Sequence, residues 1–378
     1  MKSKAKIKPS IRRFFVSHSI FLNFVRLFSK LLGMMKILFQ IFLLTFSLSI
    51  FAQIGGEGTF VSLNLPYSAR HVALGGNAIN AMDDDVSIGL HAPSLLNKMS
   101  HKRAVFSHSI LASGINYGQF GYAHQLSDNK FISTSFRYAS YGKMNLTLPS
   151  GEIAGDFHAG DVIASAGYGQ HINEVVSVGA NLNFAFSTLE TYQAFGMTLD
   201  FSGTLNFADK NTVVTALIRN AGVQFSGYVD KNRERITPNP MIAISHKLAH
   251  APFRITLLAQ NLNRWDLTYV DPNEQPYKDP FTNELIEPKR ANFFGKTMHH
   301  LVFQVEALFG KHFHLRAAFD YRQREEMKVT NRAGMSGFSL GVGLMLKKFQ
   351  FHYGFNAISA AGFNNMFTLS TNINEWKK

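Results

Sequence analysis

The chain has 378 residues, enough for two or three soluble domains or one large β-barrel, and no cysteine, which excludes a disulfide-built scaffold. Hydrophobic residues make up 46% and aromatics 13%, with 35 Phe against 2 Trp, while charged residues reach only 17%, a composition unsuited to disorder. The formal net charge of +13 would point to nucleic acid or a membrane surface if it were spread evenly, but much of it lies at the front.

Residues 1–52 hold nine Lys or Arg and no Asp or Glu; without them 29 basic residues face 25 acidic ones, and no case for a nucleic-acid partner remains. Within this stretch Met34-Met35-Lys36 precedes the apolar run ILFQIFLLTFSLSIFA, and the small Ala52 precedes Gln53. A charged start, an apolar stretch and a small residue form a signal peptide, with cleavage expected between Ala52 and Gln53 and the true start at Met34 or Met35. Ile50 departs from the small residue preferred three places before the cut. The run is short for a membrane helix, which needs about 20 apolar residues, and no basic cluster follows it. Export is therefore expected.

Residues 53–103 contain no long periodic element. Glycines that permit tight turns and the punctuating Pro66 and Pro93 suit a plug or hatch. The run from Gln53 to Asn97 carries Gly55-Gly56-Glu57, Leu63-Asn64-Leu65-Pro66, Ser68-Ala69-Arg70, Ala73-Leu74-Gly75-Gly76, Asp83-Asp84-Asp85 and Pro93-Ser94-Leu95-Leu96-Asn97. These residues resemble the N-terminal signature of the PorQ family, outer-membrane components of the Bacteroidetes type IX secretion system that look like relatives of FadL-type fourteen-stranded barrels. Arg219-Asn220-Ala221-Gly222, read as a strand end, fits the wider barrel family. The chain has His91-Ala92-Pro93 where the family usually has Asn-Pro. The resemblance implies a non-enzymatic outer-membrane anchor, without cofactor, in a surface attachment complex with the sortase-like PorU, the barrel PorV and the surface protein PorZ.

From Ala104 onward the pattern has period two, which sends alternate side chains to opposite faces of a strand. Val176, Val178, Ala180, Leu182, Phe184 and Phe186 share one face; Ser177, Gly179, Asn181, Asn183 and Ser187 share the other. The pattern predicts strands at 104–111, 115–126, 130–141, 161–171, 175–187, 194–208, 212–219, 240–248, 253–261, 299–309, 312–321, 336–346, 349–357 and 365–373. Many have the roughly 9 to 11 residues of a tilted transmembrane strand. Connections after every second strand are tight turns, whereas 142–160, 220–239, 262–298 and 322–335 are long, although the first, fifth and thirteenth connections are short as well. Short turns on one rim and long loops on the other are the habit of an outer-membrane barrel, and a soluble sandwich has no reason to sort its loops so. The expected fold is all-β: a transmembrane antiparallel barrel of about fourteen strands over 104–378, preceded by the plug segment and facing outer-membrane lipid.

Chemical motifs are sparse. Asp83-Asp84-Asp85 lacks the spaced ligands of a calcium loop and is read as a plug salt-bridge group. Ser127-Asp128-Asn129-Lys130 matches fragments of a penicillin-binding site, but no K-T-G accompanies it and the four residues form a turn. Adjacent His299 and His300 are expected on opposite faces of a strand, and His312, His314 and His352 at the lumen or rim. No nucleophile–base or paired-carboxylate arrangement emerges, so the chain reads as a non-enzyme. The long connection 262–298 is the segment suited to a partner, through Trp265, Tyr269, Tyr277 and Phe281. Two functions follow: the attachment-complex anchor implied by the resemblance, and a FadL-like channel for hydrophobic small molecules with 53–103 as its hatch.

Overall fold

The computed structural model describes residues 59–111, 114–229, 233–268, 277–278, 285–286, 291–327, 334–359 and 362–376. Where the sequence alternates, the backbone is extended: β1 (Arg103–Leu111), β2 (Asn116–Ser127), β3 (Lys130–Thr147), β4 (Ile153–His171), β5 (Val176–Leu189), β6 (Tyr192–Phe207), β7 (Thr212–Ser226), β8 (Asn239–Lys247) and β9 (Phe253–Ala259). A small hairpin, β10 (Tyr277–Lys278) with β11 (Leu285–Ile286), stands apart from them. Then β12 (Leu301–Phe309), β13 (Phe313–Asp320), β14 (Phe338–Met345), β15 (Phe349–Ser359) and β16 (Gly362–Asn372) complete the circuit. β16 pairs antiparallel with β1, Ser370 opposite Val105, so fourteen strands close a barrel without a free edge.

The phase of alternation decides what each side chain meets. In β5, Phe184 and Phe186 point outward, while Ser177, Asn181, Asn183 and Ser187 are buried inside. In β12 the outward pair is Phe303 and Val305 and the inward pair Gln304 and Glu306; β16 turns Phe367 and Leu369 out and Thr368 and Ser370 in. A soluble protein seldom exposes an apolar patch beyond a few hundred Å². A belt of Phe, Leu, Ile and Val around a closed barrel is a surface for hydrocarbon.

Residues 59–102 run through the lumen. Ser68 caps α1 (Ala69–Ala73), its hydroxyl oxygen accepting from the His71 N–H at 3.2 Å, and Asp85 caps α2 (Val86–His91) by accepting from the Ser87 N–H at 3.1 Å. α1 packs on β14, β15 and β16, whereas the turn Pro93–Leu95 packs on β4, β5 and β6. Those strand groups stand nearly opposite in the barrel order, so the segment crosses the interior. It is tied down on the way: the Ala69 N–H donates to Thr368 Oγ1 at 2.8 Å, the Ser94 N–H to Ser202 Oγ at 3.0 Å, and Gln304 Nε2 to the Leu74 and Asn77 carbonyls at 2.8 Å each.

Two wall glycines set how closely the segment sits. A Cβ at Gly354 would lie 2.1 Å from the Ala69 carbonyl oxygen, and one at Gly179 would lie 2.5 Å from the Ser94 nitrogen. Both neighbours are backbone and cannot swing aside. Gly179→Ala and Gly354→Ala are each expected to destabilise the barrel by about 1–3 kcal/mol through overpacking. Urea midpoints in detergent micelles test this; midpoints equal to the parent's would mean that the segment is not seated against the wall there.

The sequence-based boundaries fail where alternation ends. The expected loop 142–160 is mostly strand, because β3 and β4 continue to a turn at 148–152. The register shifts after Ser140, Gly142 adopts φ 80°, and beyond it residues on both faces, Lys143, Asn145, Ile153 and Asp156 among them, are exposed. Arg219 does not end β7 either. Asn220 takes a left-handed φ of 60° and inserts a bulge, after which the strand resumes to Ser226. A bulge breaks the count of two, so the expected loop 220–239 began too early. Within 262–298 lie the β10–β11 hairpin and α3 (Phe293–Met298), and α4 (Tyr321–Met327) begins the next connection.

Candidate functional site

Charge converges where the plug meets one side of the wall. β9, β12 and β13 turn Arg254, Glu306 and Arg316 inward, and the plug supplies Arg70, Asp83 and Asp85. The Glu306 carboxylate, 1% exposed, accepts from Arg70 and Arg254 at 2.9 Å each and from Arg316 Nε at 3.0 Å. Asp83 accepts from Arg70 at 2.9 Å and Arg254 at 3.1 Å, and Asp85 lies 3.5 Å from Arg70. Three guanidinium groups thus face three carboxylates, which is what allows such charges to be buried. Burial works against the charge on Arg70, but Asp83, Glu306 and Asp85 outweigh it and push its pKa up. Burial would likewise raise Asp83, yet Arg70 and Arg254 hold it below the usual carboxylate range. The three adjacent aspartates therefore act as plug salt-bridge groups, Asp84 reaching Arg103 at 3.8 Å and Gln350. Among the described residues no three His, Asp or Glu side chains are grouped to hold a metal ion.

On the plug, His71 and His91 stack edge to face at 4.7 Å, and both are buried. Burial first, and Arg219 second, lowers the His71 pKa to about 3; burial and His71 hold His91 well below its ordinary value. Ser68 Oγ lies 2.6 Å from His71 Nδ1, but both groups are sealed from solvent and the hydroxyl already caps α1, so the pair is structural. A folded pKa below the unfolded value of about 6.5 means that the unfolded chain binds more protons, so stability is full above that pH and falls below it. The loss is about 1.4 kcal/mol per pH unit for each histidine between about 6.5 and its folded value. Amide exchange over 69–91 should therefore accelerate as pH falls from about 6.5 to 4, after correction for intrinsic exchange rates. A flat protection profile would contradict two neutral histidines.

Above the plug, toward the long connections, lies a cavity of about 580 Å³. Asn64, Gly76 and Asn77 of the plug face Arg219, Gln260 and Asp320 of the wall across it. These groups bond to one another: Arg219 to Asn77 Oδ1 at 2.8 Å, Asn77 Nδ2 to Gln260 Oε1 at 2.7 Å, and Gln260 Nε2 to Asp320 Oδ2 at 3.2 Å. The result is an antechamber with the plug as its floor, whose wall mixes these polar groups with Leu65, Val72, Leu111, Met327 and Ile358.

Of the partner residues expected from sequence, Trp265 lies on this rim. It is 53% exposed, with its ring 5.4 Å from Phe293 and 5.8 Å from His300, and Phe293 and Phe294 beside it are more exposed still. Tyr269, Phe281, the side chain of Tyr277 and the cleavage pair Ala52 and Gln53 fall outside the described residues. His299 and His300 do not alternate on a strand. They form the turn between α3 and β12, both buried, His299 Nδ1 bonding the Gly295 carbonyl at 2.7 Å and His300 Nδ1 the Gln260 carbonyl at 2.9 Å. His352 is buried in the lumen against Arg316 at 2.9 Å, whereas His312 is exposed at a turn.

No protein-family profile matches this chain, and no curated protein matches it. Solved structures do. The toluene transporter TbuX of Ralstonia pickettii aligns with 82% of this chain and 100% of its own at 9% identity, TM-score 0.50. A deltaS2 mutant of the monoaromatic hydrocarbon channel TodX aligns over 82% of this chain and 99% of its own at 11% identity, TM-score 0.52; TodX is the toluene transporter of Pseudomonas putida. A FadL homologue of Pseudomonas aeruginosa aligns over 81% and 98% at 10% identity, TM-score 0.46. At such identities the likeness is one of fold: a closed fourteen-stranded barrel like those of TbuX and TodX.

Proposed function

We propose that this protein is an outer-membrane channel for small hydrophobic compounds, with residues 59–102 as the hatch that controls passage. The observation that carries the reading is the fourteen-stranded barrel filled by its own N-terminal segment, matched over nearly their full length by TbuX and TodX. The apolar belt supports placement in the outer membrane, and no catalytic chemistry is needed for passage. Cells that express the protein should take up labelled toluene faster than cells carrying an empty vector. Equal initial rates in cells shown to hold the folded barrel would defeat the channel reading.

A second reading is the attachment-complex anchor, with PorZ, PorU and PorV-like proteins as partners. It draws on the exposed Trp265, Phe293 and Phe294 at the rim, a surface rich in the aromatics that dominate protein interfaces. Deleting 262–298 should then release PorZ from the cell surface while the barrel stays folded. PorZ remaining in place would sink it.

A further inference from the structure

The short turns form one continuous rim. Backbone N–H groups link neighbours around it: His171 to the Asn129 carbonyl at 2.9 Å, Asn206 to Val175 at 2.7 Å, Lys247 to Asn211 at 2.9 Å, Leu308 to Pro252 at 2.6 Å, Met345 to His312 at 2.9 Å and Ile373 to Lys102 at 2.9 Å. Three successive turns, β8–β9, β12–β13 and β14–β15, hold exposed Lys247, Lys311, Lys347 and Lys348 together with exposed His246, His250 and His312. No Asp or Glu occurs at 245–253, 309–313 or 345–350. The opposite rim mixes its signs: Lys143 is bridged to Asp156 at 3.1 Å, and Lys296 to Asp266 at 2.7 Å.

The basic arc borders the apolar belt. Lys347 and Lys348 stand between the outward Leu346 and Phe349; Trp376 packs edge-on to Phe349 at 5.2 Å, and Lys348 Nζ sits 4.4 Å over the Trp376 ring. Trp376 Nε1 donates to Thr371 Oγ1 at 2.9 Å, which fixes the indole at this level. Indoles and lysines whose stems lie on apolar surface belong at the depth of lipid headgroups.

We propose that this arc binds the phosphates of anionic phospholipids, of the phosphatidylglycerol type, in the leaflet that faces the short turns. Lysines that outnumber the acids around them, exposed Glu375 beside Trp376 and exposed Asp209 in the adjoining β6–β7 turn, attract a phosphodiester, and the attraction accumulates over several lysines within a Debye length. An acidic protein would meet the same charges, but the adjoining Phe349, Leu346 and Trp376 offer the apolar border on which acyl chains lie. The inference rests on the membrane reading of the belt.

The chain has 2 Trp, so Trp265→Phe leaves Trp376 as the only indole. This variant is folded into vesicles that carry either brominated phosphatidylglycerol or brominated phosphatidylcholine at equal mole fraction, and quenching of Trp376 is read against unbrominated vesicles. Brominated phosphatidylglycerol should quench roughly twofold more strongly. Lys311→Gln, Lys347→Gln and Lys348→Gln together should abolish the difference, as should about 1 M salt; Lys143→Gln on the other rim should not. Equal quenching by both lipids overturns the proposal and leaves the membrane reading intact. Quenching by neither, in a barrel that keeps its heat-dependent gel mobility, overturns both.

Discussion

Replacing Glu306 with alanine is expected to cost about 3–5 kcal/mol, the range for removing one partner of a buried ion pair. The carboxylate lies among Arg70, Arg254 and Arg316, so its loss leaves three inward guanidinium groups to share Asp83 and Asp85. Arg316 suffers most, because Glu306 is its carboxylate partner at 3.0 Å and its remaining bonded neighbour is His352. Glu306→Gln keeps an acceptor and the volume but removes the charge, and should fall between the parent and the alanine variant. Two readouts separate the consequences. The urea midpoint in micelles reports the barrel as a whole, and protease sensitivity over 59–102 reports whether the plug has come loose. A parent-like midpoint with a protected plug would mean that the charges are not coupled as the distances indicate.

The barrel was legible because lipid outside and polar packing inside impose a strict period of two, as in β5, β12, β15 and β16. Where that two-sided environment stops, the signal stops too. The wet upper part of the β3–β4 hairpin is missed for that reason, whereas β7 beyond Asn220 keeps its two faces and is missed because the bulge breaks the count of two. Of the ionic centre the sequence shows Asp83-Asp84-Asp85 as plug salt-bridge groups, but their partners are missed, for a different reason. Glu306 lies directly opposite Arg316 in the β12–β13 register and opposite Arg254 in the β9–β12 register, but a register between β9 and β12 spans the whole 262–298 connection. Charged residues on the inward phase of β9, β12 and β13 do not mark the centre by themselves, because β3, β4, β6 and β7 also turn charges inward, in Arg137, Asp161, Asp200 and Arg219. Arg70 alone in the plug gives no sign of it. The meeting of Asp83 with Arg254 depends on how the segment crosses the lumen, which local pattern does not encode.

Deleting residues 59–102 should raise single-channel conductance on the order of tenfold or more, because a barrel of this size without an internal segment leaves a water-lined lumen. The inner wall is already suited to water: Ser107, Gln119, Asn183, Thr215, Gln304 and Asn364 are buried now because the plug and the polar packing around it cover them. The same deletion removes the apolar side chains of Tyr67, Leu74, Ile88 and Leu96 from the interior, all fully buried, so stability should fall together with selectivity. The variant must therefore first be shown to keep heat-dependent gel mobility, which reports a closed barrel in detergent. If the protein is a channel for hydrophobic compounds, the deleted form should admit hydrophilic solutes such as sugars, which the intact form excludes, and its advantage for toluene should shrink relative to them. If it serves as an anchor for surface proteins, partner binding should survive the deletion, because the exposed aromatics Trp265, Phe293 and Phe294 belong to the β9–β12 connection and not to the segment removed. A folded deletion variant with unchanged conductance would show that something other than the plug closes the lumen.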